Sequence, residues 1–553
     1  MTAGTLLLDA AARAGMYGLM VRTSGPQIRG GEAAALIRIA SERIGSLDDE
    51  FDLLLAIDWE NIVRFIDEIP MRSDGLVIGD SDEGEAPPAY LATGARAESV
   101  PLKAITKSIA GSWKNTVALG VAGAIASLPI EALEEALRSS WKRGEAALAA
   151  NVQALQTGYE RGTAIGALPP LTIPPRNGKR WALSGNEAAG LGALRGGVRF
   201  VAAYPITPAT EMLEWMAPKL KKLGGALVQA EDELASINMI IGASYGGVPS
   251  LTATAGPGLA LMTESLGLAI TSETPIVVVD VMRGGPSTGI PSKSEQSDLS
   301  FAVNGLPGDA PRLVLAPTSI SDCAATTQWA VYLAEKLQTA AIVLSDQFLG
   351  QSRMISDEIA DTGLVAERLV AEADELDYKR YRNTESGVSP MAIPGTRGTV
   401  YTADGLEHNE AGIPSSQNAD HQMQLDKRER KLTSFDYGPA WADIEGEGEF
   451  AIITFGSITN VAREALARAA QQGANARLIA LRLLAPALPE QLAAALEGVT
   501  RILVVEQNHT GQLYRYLRSA YDLPGKTESF RRPGPLPMRP GELADAIVEW
   551  RNQ

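Results

Sequence analysis

The chain has 553 residues, room for about three to five domains, and its 45% hydrophobic and 21% charged residues are ordinary globular values. A net charge of -17 speaks against nucleic-acid and anionic-membrane partners. The single cysteine, Cys323, excludes an internal disulfide and an Fe–S cluster ligated by this chain alone. His408, His421 and His509 have no metal-site spacing. We expect no metal bound by the chain, a reducing cytoplasmic compartment, and no membrane span, because the weakly polar stretch 117–130 is shorter than the ~20 residues a spanning helix needs.

In chain order, residues 1–157 read as one α/β unit. It has a helix over 6–14, short buried strands over 53–57 and 76–78, and an amphipathic helix entered at Ser127 and Pro129. Residues 158–180 are rich in Gly and Pro and read as a linker. Residues 181–350 carry strand-like runs at 200–204, 227–229, 250–254, 276–281, 313–316 and 342–345 with helical patterns between them. That alternation argues a parallel, doubly wound α/β sheet. Residues 351–440 read as an irregular, charged connection. Residues 441–553 read as a second, smaller α/β domain with strands at 451–455, 478–481 and 502–506.

Four loops in 181–350 leave the carboxyl ends of predicted strands, the edge where open α/β sheets bind ligands. Tyr204-Pro205-Ile206-Thr207-Pro208 has its backbone restricted by two prolines and places a hydroxyl at Thr207; its bland reading is a helix N-cap. Glu231-Asp232-Glu233 opens an apolar helix. Carboxylates there suit the dipole, yet Glu233 abuts residues that are apolar on nearly every face, which predicts a buried acid. Ala255-Gly256-Pro257-Gly258 permits a close backbone approach. Arg283-Gly284-Gly285-Pro286-Ser287-Thr288-Gly289 sets a guanidinium beside hydroxyls, which suits a carboxylate ligand.

These loops closely resemble, in order and spacing, the pyrimidine-binding domain of 2-oxoacid:ferredoxin oxidoreductases, 2-oxoglutarate type, α subunit. The similarity runs through AYPITPATE, AEDELASINMIIGASYGG, TATAGPGLALM and RGGPSTGIPSKSEQSDL, and resumes at HNEAGIPSS, KRERKL and VVEQNHTGQLYRYLR. GMYGLMVRTSGPQIRGGEA, residues 15–33, resembles the family's γ subunit fused in front.

The resemblance implies a multidomain α/β fold: a γ-like domain (1–157) lacking the family's first strand and Gly-rich turn, a linker (158–180), a pyrimidine-binding thiamine diphosphate domain (181–350), a connection (351–440) and a transketolase C-terminal-like domain (441–553). It implies CoA-dependent oxidative decarboxylation of a 2-oxoacid, with electrons passed to ferredoxin. Glu233 is then the partner of the aminopyrimidine of thiamine diphosphate, with Pro205, Ile206, Thr207, Gly256 and Pro257 around the cofactor. Thr207 and Arg283 are catalytic and substrate-binding. Ser287, Thr288 and Lys293 shape the pocket, and Arg29 helps hold coenzyme A. Mg²⁺, the cofactor's diphosphate and a [4Fe–4S] cluster fall to a partner β subunit, in an αβ or (αβ)₂ assembly. 2-Oxoglutarate is the expected substrate. Pyruvate, branched-chain 2-oxoacids, a non-oxidative thiamine diphosphate enzyme and a non-catalytic paralogue are the alternatives.

Overall fold

The computed structural model describes residues 2–25, 31–169, 171–173 and 179–552. The chain forms two compact units: one of residues 1–183, 352–359 and 536–543, the other of 184–351, 360–535 and 544–553.

The first unit begins with the helix Thr2–Arg13, whose Leu6, Leu8, Ala10 and Ala11 pack with Leu119, Leu133, Ala136 and Leu155 in one core. A four-stranded sheet follows, in the order Ala33–Ala40, Tyr17–Ser24, Arg353–Asp357, Arg180–Ser184. Tyr17–Ser24 is antiparallel to both of its neighbours. A second, parallel sheet joins Phe51–Leu55, Met71–Gly79 and Arg96–Ser99. The segment expected as a linker from residue 158 begins inside a helix, Glu145–Ile165, so the sequence reading is corrected there. Its glycines explain the misreading. Gly162 faces Val121 O, 2.6 Å from where a Cβ would lie, and Gly158 and Gly120 meet the backbones of Val117 and Leu155 with no room for any side chain. This stripe lets the helix lie against Lys114–Ile125 backbone to backbone. Small residues that suggest a loop in sequence here serve close helix packing. Among the described residues no helix is long and apolar enough to cross a membrane.

In the second unit a seven-stranded sheet has the order Leu483–Ala485, Leu313–Leu315, Ala340–Asp346, Ile276–Met282, Ser250–Thr254, Phe200–Ala203, Ala226–Gln229. All its pairings are parallel except the edge strand Leu483–Ala485. Ile276–Met282 (IVVVDVM) and Ala340–Asp346 are buried at every residue, as expected of a parallel sheet covered on both faces. A five-stranded sheet, Ala442–Glu445, Arg477–Leu481, Phe450–Phe455, Arg501–Glu506, Lys526–Arg531, completes the unit. The smaller α/β region therefore lends one strand, Leu483–Ala485, to the larger sheet.

The 351–440 connection is more ordered than its composition suggests. It holds the strand Arg353–Asp357 and the helix Asn418–Thr433, which includes the KRERKL run. That run is not a solvated face. Lys427 and Lys431 are fully buried and both reach Glu273, at 2.5 and 3.1 Å, while Arg380 donates to the Glu273 carbonyl at 2.7 Å. Burial pushes the Glu273 carboxyl up, but Lys427, Lys431 and Arg380 together overcome it and hold the group below the usual carboxylate range. Burial likewise pushes Lys427 down, to about 7, against the pull of Glu273. Removing one member of such a cluster strands the others without water. Glu273→Ala is expected to cost about 3–5 kcal/mol, read as a lowered unfolding midpoint in denaturant; an unchanged midpoint would contradict the structural weight assigned to the cluster.

Candidate functional site

The four loops singled out in sequence follow four neighbouring strands of the larger sheet. Chain order reverses there. From Phe200–Ala203 the chain steps outward to Ala226–Gln229, then returns to the other side, at Ser250–Thr254, and winds away. The crevice between Phe200–Ala203 and Ser250–Thr254 is thus a topological switch point, where doubly wound sheets bind ligands.

After Phe200–Ala203, Tyr204 is exposed and Pro205, Ile206 and Thr207 are half-buried. Thr207 is not a helix N-cap. The helix starts at Thr210, and its N-cap is Ala209, with no side-chain cap. Instead the Thr207 carbonyl accepts a hydrogen bond from Arg283 Nη1 at 2.5 Å, tying the first loop to the fourth.

In the Glu231-Asp232-Glu233 turn the three acids have separated roles. Glu231 is exposed. Asp232 is the N-cap and accepts from Ala235 N at 2.6 Å. Glu233, the first residue of the helix Glu233–Tyr245, is only 6% exposed. The helix-start reading therefore accounts for Asp232 and leaves Glu233 over. The helix itself is not buried all round: Ile237, Ile240 and Ile241 face inward, while Leu234 and Met239 are exposed.

Gly256 and Gly258 make room for side chains of this chain. A Cβ at Gly258 would lie 2.7 Å from Glu233 Oε1 and would overlap Thr254 Oγ1, and one at Gly256 would lie 2.7 Å from Asp298 Oδ2. Pro257 lies in the first turn of the short helix Gly256–Leu261 between them. The third loop thus seats Glu233 on one side and Asp298 on the other.

Arg283 is 6% exposed, just past the strand Ile276–Met282. Its Nε has no hydrogen-bond partner. Burial pushes its guanidinium below the ordinary value, against the pull of Asp298 and Asp280. The loop beyond it closes on its own backbone: Gly284 N donates to Lys293 O at 3.0 Å and Ile290 N to Gly284 O at 2.7 Å. Ser287 and Thr288 are exposed at its tip and Lys293 is half-buried at its base. Arg29 lies outside the described residues.

The structure therefore brings together Thr207, Glu233, Gly256, Gly258 and Arg283, while Ser287 and Thr288 stand exposed at the tip of the fourth loop. Two residues at the site escaped the sequence reading, Asp280 and Asp298. A carboxylate inside IVVVDVM was the available signal, since a fully buried strand carries a charge only for a reason.

Three family models match the chain. "Pyruvate ferredoxin/flavodoxin oxidoreductase" covers residues 1–161, "Pyruvate flavodoxin/ferredoxin oxidoreductase, thiamine diP-bdg" covers 191–427, and "Pyruvate:ferredoxin oxidoreductase core domain II" covers 448–530. The 2-oxoglutarate oxidoreductase subunit KorA of Mycobacterium tuberculosis is 32% identical over 528 residues, spanning 89% of this chain and 80% of the relative. The chain belongs to the α-subunit family of the 2-oxoacid:ferredoxin oxidoreductases.

Another family member, the α subunit of 2-oxoacid:ferredoxin oxidoreductase 1 from Sulfurisphaera tokodaii, is 36% identical over 391 residues; the match covers 67% of this chain and 61% of that relative. The solved 2-oxoglutarate:ferredoxin oxidoreductase from Magnetococcus marinus, determined with 2-oxoglutarate, coenzyme A and succinyl-CoA bound, superposes with a TM-score of 0.91 at 36% identity, over 100% of this chain and 96% of that one. The thiamine diphosphate-binding family model falls on residues 191–427, the region that holds all four loops.

Gly258→Ala would drive a methyl into Thr254 and the Glu233 carboxylate. We expect it to lower the activity of the assembled enzyme about 100-fold, as ~1 Å displacements of reacting groups do, with the far-ultraviolet circular dichroism retained. Near-normal turnover would show that Glu233 need not stay where the structure holds it.

Proposed function

We propose that this chain is the thiamine diphosphate-activating α subunit of a CoA-dependent 2-oxoglutarate:ferredoxin oxidoreductase, active with a β subunit that supplies the Mg²⁺ and diphosphate site and the [4Fe–4S] cluster. The observation that carries the reading is the buried Glu233 carboxylate at the switch point, with the Arg283 guanidinium fastened to the neighbouring loop through the Thr207 carbonyl. The donor set fits the cofactor. A buried carboxylate suits a basic ring nitrogen, and half-buried Pro205, Ile206 and Thr207 border the same crevice.

Bound there, thiamine diphosphate supplies the carbanion chemistry that cleaves a 2-oxoacid next to its carbonyl. Glu233 holds the proton at the ring nitrogen, and its burial strengthens that bond. Arg283 binds the substrate's 2-oxo carboxylate; it is already partly desolvated, and its anchor to Thr207 O limits its rotamers, so little order is lost on binding. Thr207 borders the reacting carbonyl. Ser287, Thr288 and Lys293 frame the remainder of the substrate, Lys293 facing its distal carboxylate. Pro257 and Gly256 would keep the third loop tight where the cofactor binds. The exposed Leu234, Met239 and Leu261 near Glu233 form an apolar surface that a β subunit would cover. An (αβ)₂ assembly, ferredoxin as acceptor, Arg29 as a coenzyme A contact and a cytoplasmic location complete the proposal. The relatives named for 2-oxoglutarate support it as the substrate.

The test is co-expression with the neighbouring β chain and measurement of viologen reduction. Reduction should require 2-oxoglutarate, coenzyme A and thiamine diphosphate together, with pyruvate a poor substitute. Glu233→Gln should lower kcat by at least about 100-fold, the scale of a lost proton-handling group. Absence of reduction with every 2-oxoacid, from a complex carrying cluster and cofactor, would refute the assignment.

A further inference from the structure

Asp280 and Asp298 have no place in the chemistry described so far. Asp280 sits in the middle of the larger sheet, in register with Thr254 on one neighbouring strand and Leu344 on the other. It is fully buried, and neither of its carboxyl oxygens meets a donor. The side chain that acts on it most strongly is the Asp298 carboxyl, which is half-buried as a residue but whose Oδ2 is buried without a donor among the described residues. Two neighbouring carboxyl groups with oxygens shut off from water hold a proton between them, because adjacent like charges there cannot both persist. Burial pushes Asp280 well above the ordinary carboxylate range, and Asp298 raises it further. Burial also raises Asp298, to about 6.

The charged groups acting on the pair are few. Arg283 lies three residues beyond Asp280 on the same strand end, and Glu295 lies in the segment leading to Asp298. Glu295 is itself raised by burial and drawn back by His509. Asp346, at the end of the flanking strand, is occupied by the amides of Leu349 and Ser457. Glu233 stands on the other side of the third loop, beyond Gly258. Among the described residues, the counter-charge that acts on Arg283 is therefore the pair. With one proton on two carboxyls, the pair carries one negative charge, and the trio with Arg283 is neutral.

That balance changes when an anion binds. A carboxylate on Arg283 adds a negative charge beside the pair, and a second proton on the pair restores neutrality. We propose that the Asp280–Asp298 pair is a proton-holding positioning element for Arg283, which takes up one proton from solvent when a 2-oxoacid carboxylate binds the guanidinium. The inference rests on the reading of Arg283 as the substrate-carboxylate residue. The sign follows from linkage. Where the free pair holds a single proton, binding draws in another, so affinity is highest at low pH and declines as pH rises through the pair's free titration.

The test uses the αβ holoenzyme and oxalate, an inert dianion that presents the 2-oxoacid head group and stays fully ionised across the range. Its competitive Ki against 2-oxoglutarate is measured by viologen reduction from about pH 6 to 8. One linked proton makes Ki rise about tenfold per pH unit, and Asp298→Asn should flatten that dependence. The slope is independent of how much enzyme is active, so a loss of folded protein does not imitate the result. A flat profile in the unaltered enzyme, which needs no variant to observe, overturns the inference while leaving the substrate role of Arg283 intact. An unchanged slope in Asp298→Asn overturns it equally. Oxalate that inhibits without competing with 2-oxoglutarate would overturn the reading of Arg283 and the inference with it.

Discussion

Arg283 carries a positive charge into the protein at the edge of a sheet whose adjoining strand is buried on both faces. Desolvating a guanidinium is costly unless nearby groups replace the water. The rest of the site is arranged around that constraint. Its Nη1 finds the Thr207 carbonyl in the next-but-one loop, and its charge is offset from behind by two carboxyls that cannot both be ionised. In the proposed reading, a substrate carboxylate supplies the remaining contact to the guanidinium.

The sheet makes this possible through strand order. Four loops that are sequential in the chain become neighbours because the winding reverses beside Phe200–Ala203. Glu233 then projects from the outer strand's loop toward the third loop, where Gly258 leaves it room. Glycines 256 and 258 matter less for backbone freedom than for the absence of a side chain. The same economy of volume appears in the first unit, where a glycine stripe lets two helices meet along their backbones. The segment beyond Arg283 is also held from the C-terminal region. Gln296 donates to Phe455 O at 2.7 Å and accepts from Gln507 N at 2.9 Å, so the position of Asp298 depends on both α/β regions of its unit.

The reach of sequence reasoning can be judged from particular residues. The strands at 200–204, 250–254 and 276–281 were legible because continuous apolar runs flanked by glycine or proline have few other uses. Glu233 was legible because it abuts residues that are apolar on nearly every face of its helix. Tyr17–Ser24 and Ala33–Ala40 were not read as strands, since one partner, Arg353–Asp357, lies more than three hundred residues away and the pairing leaves no local trace. Residues 351–440 read as an irregular, charged connection because a buried lysine has no sequence signature of its own; the counter-charge of Lys427 and Lys431, Glu273, comes from the end of another helix. Asp298 was not singled out, for the same reason.

Local sequence, then, determined what lies within one element and its turn: strand and helix identity, the doubly wound class, the loops at strand ends, and the chemical kinds of residue those loops present. These follow from periodicity, backbone restriction and side-chain polarity, which act over a few residues. Tertiary structure alone decided which loops are neighbours, that Thr207 gives its carbonyl to Arg283 while Ala209 occupies the helix N-cap, that the two glycines seat Glu233 and Asp298, and that Asp280 has only another carboxyl for company. Those are outcomes of strand order and close packing. They depend on contacts between residues far apart in the chain, and a linear sequence carries the participants without their distances.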